Sequence, residues 1–380
     1  MTLLGTPLLI TMVVLAVSFP VVTTAVWSRL RGGRGARFTQ RLALVIGCQL
    51  AATALVAVAL NDYGDFYGSW SSLLRSQQSA AGIKALGNPP SGAAATAANA
   101  GAITLLADPP YATRTQWATR GRLESVDLVG ATSQLREHAF VYLPPQYFQP
   151  AYAHARFPAL MVMSGYPGAE PDMIHGMDYP GTVLRLIDAH RAQPVVLVML
   201  LPSVSYPRDT ECTDVPAGPQ AATFYFSDLP GQIAQSYRVL PRGWGAIGGS
   251  TGGYCAVKFA MLHPDVCAAA VSIQGYFYAL RDATTGDLWG GSTVVRNLND
   301  LEWRLRTMVP PPISLLLVSS FDQLGDDGYR DTQRFAALVR SPMTVRTVIY
   351  PHGGHNIATW RVGLPDELAW LIGRLPQPSQ

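Results

Sequence analysis

The run Gly248-Gly249-Ser250-Thr251-Gly252 sets a serine hydroxyl among glycines. An apolar segment of strand length, Trp244–Ile247, precedes it. A helix-length segment follows from Gly253 and is stopped at His263-Pro264. G-x-S-x-G between a strand and a helix suits nucleophilic catalysis. A serine on so sharp a turn needs neighbours without bulk, and a helix N-terminus favours the negative charge that develops when its oxygen attacks. Glycine-rich turns are common and this chain has 35 glycines, so the flanking elements carry the reading more than the pattern does.

Such a serine needs a base, and in the order Ser…acid…His the base lies downstream. Only His263, His352 and His355 follow Ser250. His263 ends the nucleophile helix and is expected to point away. His355 stands after two glycines in Pro351-His352-Gly353-Gly354-His355-Asn356, a loop able to fold back toward the serine; His352 is the weaker candidate. The acid should follow the penultimate strand, Ser314–Val318. Asp322 comes directly after it, and Asp326 stays open because Gly325 would let a longer turn carry it. A carboxylate here would hold the imidazole tautomer and stabilise the imidazolium. Two backbone amides would receive the oxyanion: that of Thr251, and that of Tyr166 in the loop Ser164-Gly165-Tyr166-Pro167-Gly168 after an early strand.

Pro207–Asp214 is polar and follows another strand, so Arg208, Asp209 and Glu211 are expected to line the cleft and contact substrate, unless the loop is merely solvated. Cys212, Cys255 and Cys267 lie in the same part of the chain. A Cys212–Cys255 disulfide and three reduced, buried thiols are equally compatible with the sequence. The cysteine spacing fits no zinc pattern, and no metal or organic cofactor is implied.

The elements that must hold these residues alternate along the chain. Strands are expected at 122–129, 139–143, 159–163, 195–200, 244–247, 268–273, 314–318 and 345–348. Helices are expected at 181–189, 228–237, 253–263, 329–338 and 365–375. Several strands are apolar throughout, which predicts a mostly parallel α/β sheet covered on both faces.

The N-terminal part reads differently. Leu3–Trp27 and Leu42–Ala59 hold no charged side chain, and each is long enough to cross a bilayer core of about 30 Å as a helix. Between them, residues 29–41 carry five arginines and no acid, which places that loop in the cytoplasm and the rest of the chain outside. A cleaved signal peptide would want positive charge before the first apolar run, and Met1-Thr2-Leu3-Leu4 has none. Five of the 28 basic residues sit in this loop, leaving 23 against 25 acidic ones. The outer part therefore lacks the basic excess of a nucleic-acid binder. The expected organisation is a two-span anchor over 1–60, a juxtamembrane segment and spacer over 61–118, and a catalytic domain over 119–380. In the middle segment Tyr63, Phe66, Tyr67 and Trp70 suit a headgroup region, and a Pro/Ala-rich stretch over 88–102 reads as a spacer.

Taken in order, these motifs resemble the putative-esterase family of α/β-hydrolases, which includes carboxylesterases, S-formylglutathione hydrolases and secreted mycolyltransferases. Val141–Tyr147 is similar to the family's early strand and its exit, Ala159–Gly168 to its oxyanion loop, Gly248–Gly252 to its elbow and Gly353–Trp360 to its histidine loop. The resemblance covers about residues 120–376. It implies the α/β-hydrolase fold and acyl transfer through a serine-bound intermediate. The chain departs from the mycolyltransferases at Ser164, where they carry an acid, at Ile357, where they commonly carry tryptophan, and in having no glutamate between Ser319 and Tyr329. Those departures argue against a trehalose-type acceptor. Three functions follow for comparison: a membrane-anchored esterase acting on an ester or acylated cell-envelope substrate, an acyltransferase moving an acyl group onto a cell-envelope glycan, and a tethered binding domain without catalysis.

Overall fold

The computed structural model describes residues 6–64, 101–107, 111–169, 172–323 and 328–379. Asp326, Phe66, Tyr67, Trp70 and most of the spacer lie outside them. The chain separates into two compact units, one of which contains the two N-terminal helices.

Those helices are α1 (Thr6–Val26) and α2 (Arg34–Gly64). Each contains a stretch long and apolar enough to cross a membrane, with a mean hydropathy of 2.3. Their outward faces are apolar too: Ile10, Val17, Val21, Leu50 and Val56 are all exposed. An all-round apolar surface has no use in water and suits lipid. The pair packs where Gly47 of α2 admits the ring of Phe19, and the Thr23 hydroxyl lies 3.4 Å from the Cys48 sulfur.

The second unit is built on nine strands: β1 (Ile103–Ala107), β2 (Arg122–Val129), β3 (Arg136–Leu143), β4 (Ala159–Met163), β5 (Val196–Leu200), β6 (Trp244–Gly249), β7 (Cys267–Ile273), β8 (Ser314–Ser320) and β9 (Thr344–Tyr350). They lie in the order β1-β2-β3-β5-β4-β6-β7-β8-β9. The first three are antiparallel, β3 pairs antiparallel with β5, and from β5 to β9 every pair is parallel. Every residue of β4, β5 and β6 is buried, as near-continuous apolar strands in a two-faced parallel sheet should be. The α/β-hydrolase architecture expected from the sequence is the one observed.

Register decides what the sheet presents at its edge. Met163 pairs with Gly248, Gly249 with Ile273, Ile273 with Val318, and Ser320 with Tyr350. The loops after β4, β6, β7, β8 and β9 therefore leave the sheet along one edge. The chain passes from β4 to β5 on one side and then returns to β6 on the other. That reversal opens the crevice in which ligands of open α/β sheets bind.

The helices that cover the sheet are α3 (Tyr179–Asp188), α4 (Leu229–Ser236), α5 (Thr251–Leu262), α6 (Thr293–Asn299), α7 (Leu301–Thr307), α8 (Tyr329–Leu338) and α9 (Ile357–Ile372). Phe226 stacks on Phe259 of α5, and Phe277 stacks on Phe335 of α8. Four elements differ from expectation. β1 pairs with β2, so the sheet begins at Ile103 and not after residue 118. α6 and α7 are one-to-two-turn helices capped by Ser292 and Asp300, too short for a helical period to emerge in the sequence. α9 begins at Ile357 and runs through Pro365, whereas proline in a sequence reads as a helix start.

Candidate active site

β6 ends at Gly249 and α5 begins at Thr251, leaving Ser250 alone on the turn with φ +53° and ψ −125°. A residue bearing a β-carbon adopts this conformation only where the surroundings impose it. The surroundings here are backbone. The Ser250 amide donates to the Ile273 carbonyl at 3.0 Å, and its own carbonyl accepts from Gly253 and Tyr254 at 2.9 and 3.1 Å. Gly252 lies so close to the carbonyls of Met163 and Ser164 that any β-carbon would collide with them, and Gly248 is pressed in the same way against Gly252. At the very start of α5 the Thr251 and Gly252 amides have no carbonyl one turn back to receive them. These two are left as donors beside the serine.

The loop after β4 comes to meet this turn. A β-carbon built on Gly165 would stand 3.3 Å from the Ser250 β-carbon. The Ser164 amide reaches back to the Leu200 carbonyl of β5, and Gly168 turns the loop at φ +55°. Tyr166 is carried over the crevice, where its hydroxyl donates to the Pro207 carbonyl at 2.5 Å.

His355 reaches the same region through Trp360. The two rings meet edge to face at 5.2 Å. The Trp360 indole lies over Gly249 and beside Gly165, where β-carbons would come within 2.7 and 3.3 Å of it. Its Nε1 donates to Gln274 Oε1 at 2.6 Å. Gln274 Nε2 donates to the Ser320 hydroxyl at 3.2 Å, and that hydroxyl donates to the Gly353 carbonyl at 2.5 Å. A continuous chain of contacts thus runs from the elbow through Trp360 and Gln274 to the histidine loop. The sequence reading singles out none of Trp360, Gln274 or Ser320 for a role. Gln274 held a signal, since it follows β7 just as Ser250 follows β6.

Asp322 stands after β8 and is half exposed. Its Oδ2 accepts from the Gly353 amide at 3.1 Å and lies 3.4 Å from His352 Nδ1. It therefore grips the loop two residues before His355.

In the polar loop after β5, Asp209 and Glu211 are buried, at 2% and 1% exposed, and not solvated. Arg208 is spent on backbone, its guanidinium donating to the carbonyls of Thr285 and Asp287 at 2.8 and 2.6 Å. Asp209 Oδ2 accepts from the Thr251 hydroxyl at 2.8 Å and Oδ1 from the Glu211 amide at 2.9 Å. Glu211 Oε1 accepts from the Tyr276 hydroxyl at 2.6 Å. Fully buried Lys258, on α5, donates to the Glu211 carbonyl and the Thr213 hydroxyl at 3.0 and 2.8 Å. Cys212 is joined to Cys255 of α5 by a disulfide. Loss of hydration dominates the titration of all three charges: burial pushes Asp209 up to about 6 and Glu211 up to about 8, and brings Lys258 down to about 7. Among the described residues, no group of three or more His, Cys, Asp and Glu side chains is arranged to hold a metal.

Residues 132–306 match the family profile described as "Putative esterase". That match spans a little under half of the chain, from β3 into α7. Beyond the profile, this chain is 24% identical over 272 residues to an uncharacterized protein of Corynebacterium glutamicum, an alignment covering 67% of this chain and 62% of that relative's length. A 69-residue stretch is 35% identical to the MPT51/MPB51 antigen of Mycobacterium tuberculosis, covering 18% of this chain and 23% of the antigen. Among solved structures, the S-formylglutathione hydrolase of Agrobacterium tumefaciens superposes with a TM-score of 0.59 at 15% identity, over 71% of this chain and 100% of that one. At that identity the likeness speaks for the fold alone.

Proposed function

We propose that this chain is a membrane-anchored serine esterase whose esterase domain lies on the extracytoplasmic side. The observation that carries the reading is Ser250 held at φ +53° between β6 and α5 with the Gly165 loop against it. In the mechanism, His355 takes the proton of Ser250 as the serine oxygen attacks an ester carbonyl. The amides of Thr251 and Tyr166 receive the oxyanion. The tetrahedral adduct collapses to an acyl-enzyme, and the departing alcohol takes the proton from His355. Water, deprotonated by the same imidazole, then releases the acid. Asp322 or Asp326 holds the imidazole in the required tautomer. Folding supplies the strained serine and the unpaired amides before substrate arrives, so little reorganisation is left for the reaction itself.

The resemblance of the ordered motifs to the secreted mycolyltransferases supports a second reading, in which a cell-envelope glycan hydroxyl replaces water in the last step. Product analysis with and without added glycan separates the two. The decisive experiment for either is a fluorophosphonate probe on the detergent-solubilised full chain. Label is expected on Ser250 and absent in Ser250→Ala, which should also lose aryl-ester hydrolysis by about four orders of magnitude or more. Hydrolysis unchanged in that variant would favour a non-catalytic domain with contaminating activity.

A further inference from the structure

Taking two carboxyls and a lysine out of water is unfavourable unless partners offset the lost hydration. A scaffold loop has no need of them, yet residues 209–213 place Asp209, Glu211 and a bond to Lys258 directly behind the nucleophile turn. The loop is pinned from two sides. Toward α5 it is held by the Cys212–Cys255 bond, by Lys258 and by the Thr251 hydroxyl. Toward the 282–287 loop, the Asp209 amide donates to Thr284 and the Arg208 guanidinium to Thr285 and Asp287. Glu211 and Cys212 are both forced to positive φ, at +45° and +47°, to make the turn. What all this fixes in space is the Asp209 carboxylate, and what that carboxylate holds is Thr251. The Tyr276 hydroxyl, 3.2 Å from the Thr251 oxygen, backs it from β7's exit loop while donating to Glu211.

Thr251 is the first residue of α5 and carries the amide assigned to the oxyanion. Its side chain is 4% exposed and points into the cluster, so it holds the peptide unit and does not meet substrate. We propose that Asp209 is a positioning residue: by accepting the Thr251 hydroxyl it sets the orientation of the Thr251 amide, and hence the geometry of the oxyanion site. The inference rests on Ser250 being the nucleophile. It assigns to a loop expected to touch substrate a part in transition-state binding only.

The test compares Thr251→Val, Thr251→Ser, Asp209→Asn and the double variant Thr251→Val/Asp209→Asn in the full chain. Aryl-ester kinetics are normalised to active sites titrated with fluorophosphonate, which removes any misfolded fraction. Thr251→Val keeps the amide and the branched shape but loses the hydroxyl. It should lower kcat about 10–100-fold with KM within about threefold, less than deletion of a whole oxyanion donor costs. Thr251→Ser should recover most of that loss. Asp209→Asn should reproduce it, and the double variant should be no worse than the poorer single one, because both break one link. If Asp209→Asn does not fold, the valine and serine variants decide alone. Wild-type kcat in Thr251→Val, a change confined to KM, or multiplicative losses in the double variant would overturn the proposal. Ser250→Ala, run alongside, keeps the two failures apart. Activity surviving in it removes the nucleophile reading and this inference together. An inactive Ser250→Ala beside a fully active Thr251→Val removes this inference only.

Discussion

At the scale of residues, the site is a set of side chains whose partners decide their roles. Asp322 illustrates this. Its Oδ2 is occupied by the Gly353 amide, which fixes the glycine hinge before His355. One carboxylate can both grip the loop and serve the imidazole, or it can grip the loop while Asp326 serves it. The two cases separate in kinetics. Losing the triad acid puts the histidine in the wrong tautomer and costs about 10⁴ in kcat, whereas loosening a loop costs far less. One of Asp322→Asn and Asp326→Asn is therefore expected to fall by about four orders of magnitude, and the other by no more than about a hundredfold. Modest losses in both would take the carboxylate out of the mechanism.

At the scale of elements, α9 joins the histidine loop to the core, and it carries a buried acid. Glu367 is 2% exposed, and burial pushes its carboxyl up to about 8 from an ordinary value of 4.5. The Tyr350 hydroxyl and Glu367 Oε1 converge over Gly363, where any side chain would collide with both. Between pH 4.5 and 8 the unfolded chain gives up this proton and the native one keeps it. Native stability from this residue is therefore complete at low pH and is lost as pH rises toward 8. Glu211, also raised to about 8, acts in the same direction, while Lys258 acts in the opposite one above about 7. Glu367→Gln isolates its own share: its stability relative to wild type should rise by about 2–4 kcal/mol between pH 5 and pH 8.5. Parallel denaturation midpoints across that range would show that Glu367 ionises as freely in the native state as in the unfolded one. The same element shows where sequence reading stops. Strands β2 to β9 were legible because apolar runs of strand length recur, and the elbow because glycine must flank a serine at positive φ. The sequence places the start of α9 at Pro365 and not at Ile357, because local signals cannot see the packing that carries a helix through proline. The burial of Asp209 and Glu211 is not legible, because charge predicts exposure unless partners are known. Those partners, Thr251 and Tyr276, are 42 and 65 residues away.

At the scale of the whole molecule, two independent features bear on the side of a membrane proposed for the sheet unit. The first is the cluster of five arginines between α1 and α2, which favours retention of that loop in the cytoplasm. The second is the Cys212–Cys255 disulfide, a bond that persists in oxidising compartments and is rare in the cytosol. Both favour the proposed extracytoplasmic side for the sheet. Single cysteines test this in intact cells with a maleimide that does not cross membranes. The native thiols interfere little, since Cys267 is buried and Cys48 lies within α2. Gly33→Cys, in the arginine loop, has nothing within 4 Å to shield it, and Val309→Cys stands at a position 89% exposed on the sheet unit. Val309→Cys should react in intact cells, whereas Gly33→Cys should react only after permeabilisation. The opposite pattern would invert the topology and leave the disulfide facing reductant. Reaction at both positions in intact cells would mean that α1 and α2 do not separate them by a membrane, and the anchor would then have to be abandoned while the serine chemistry stood.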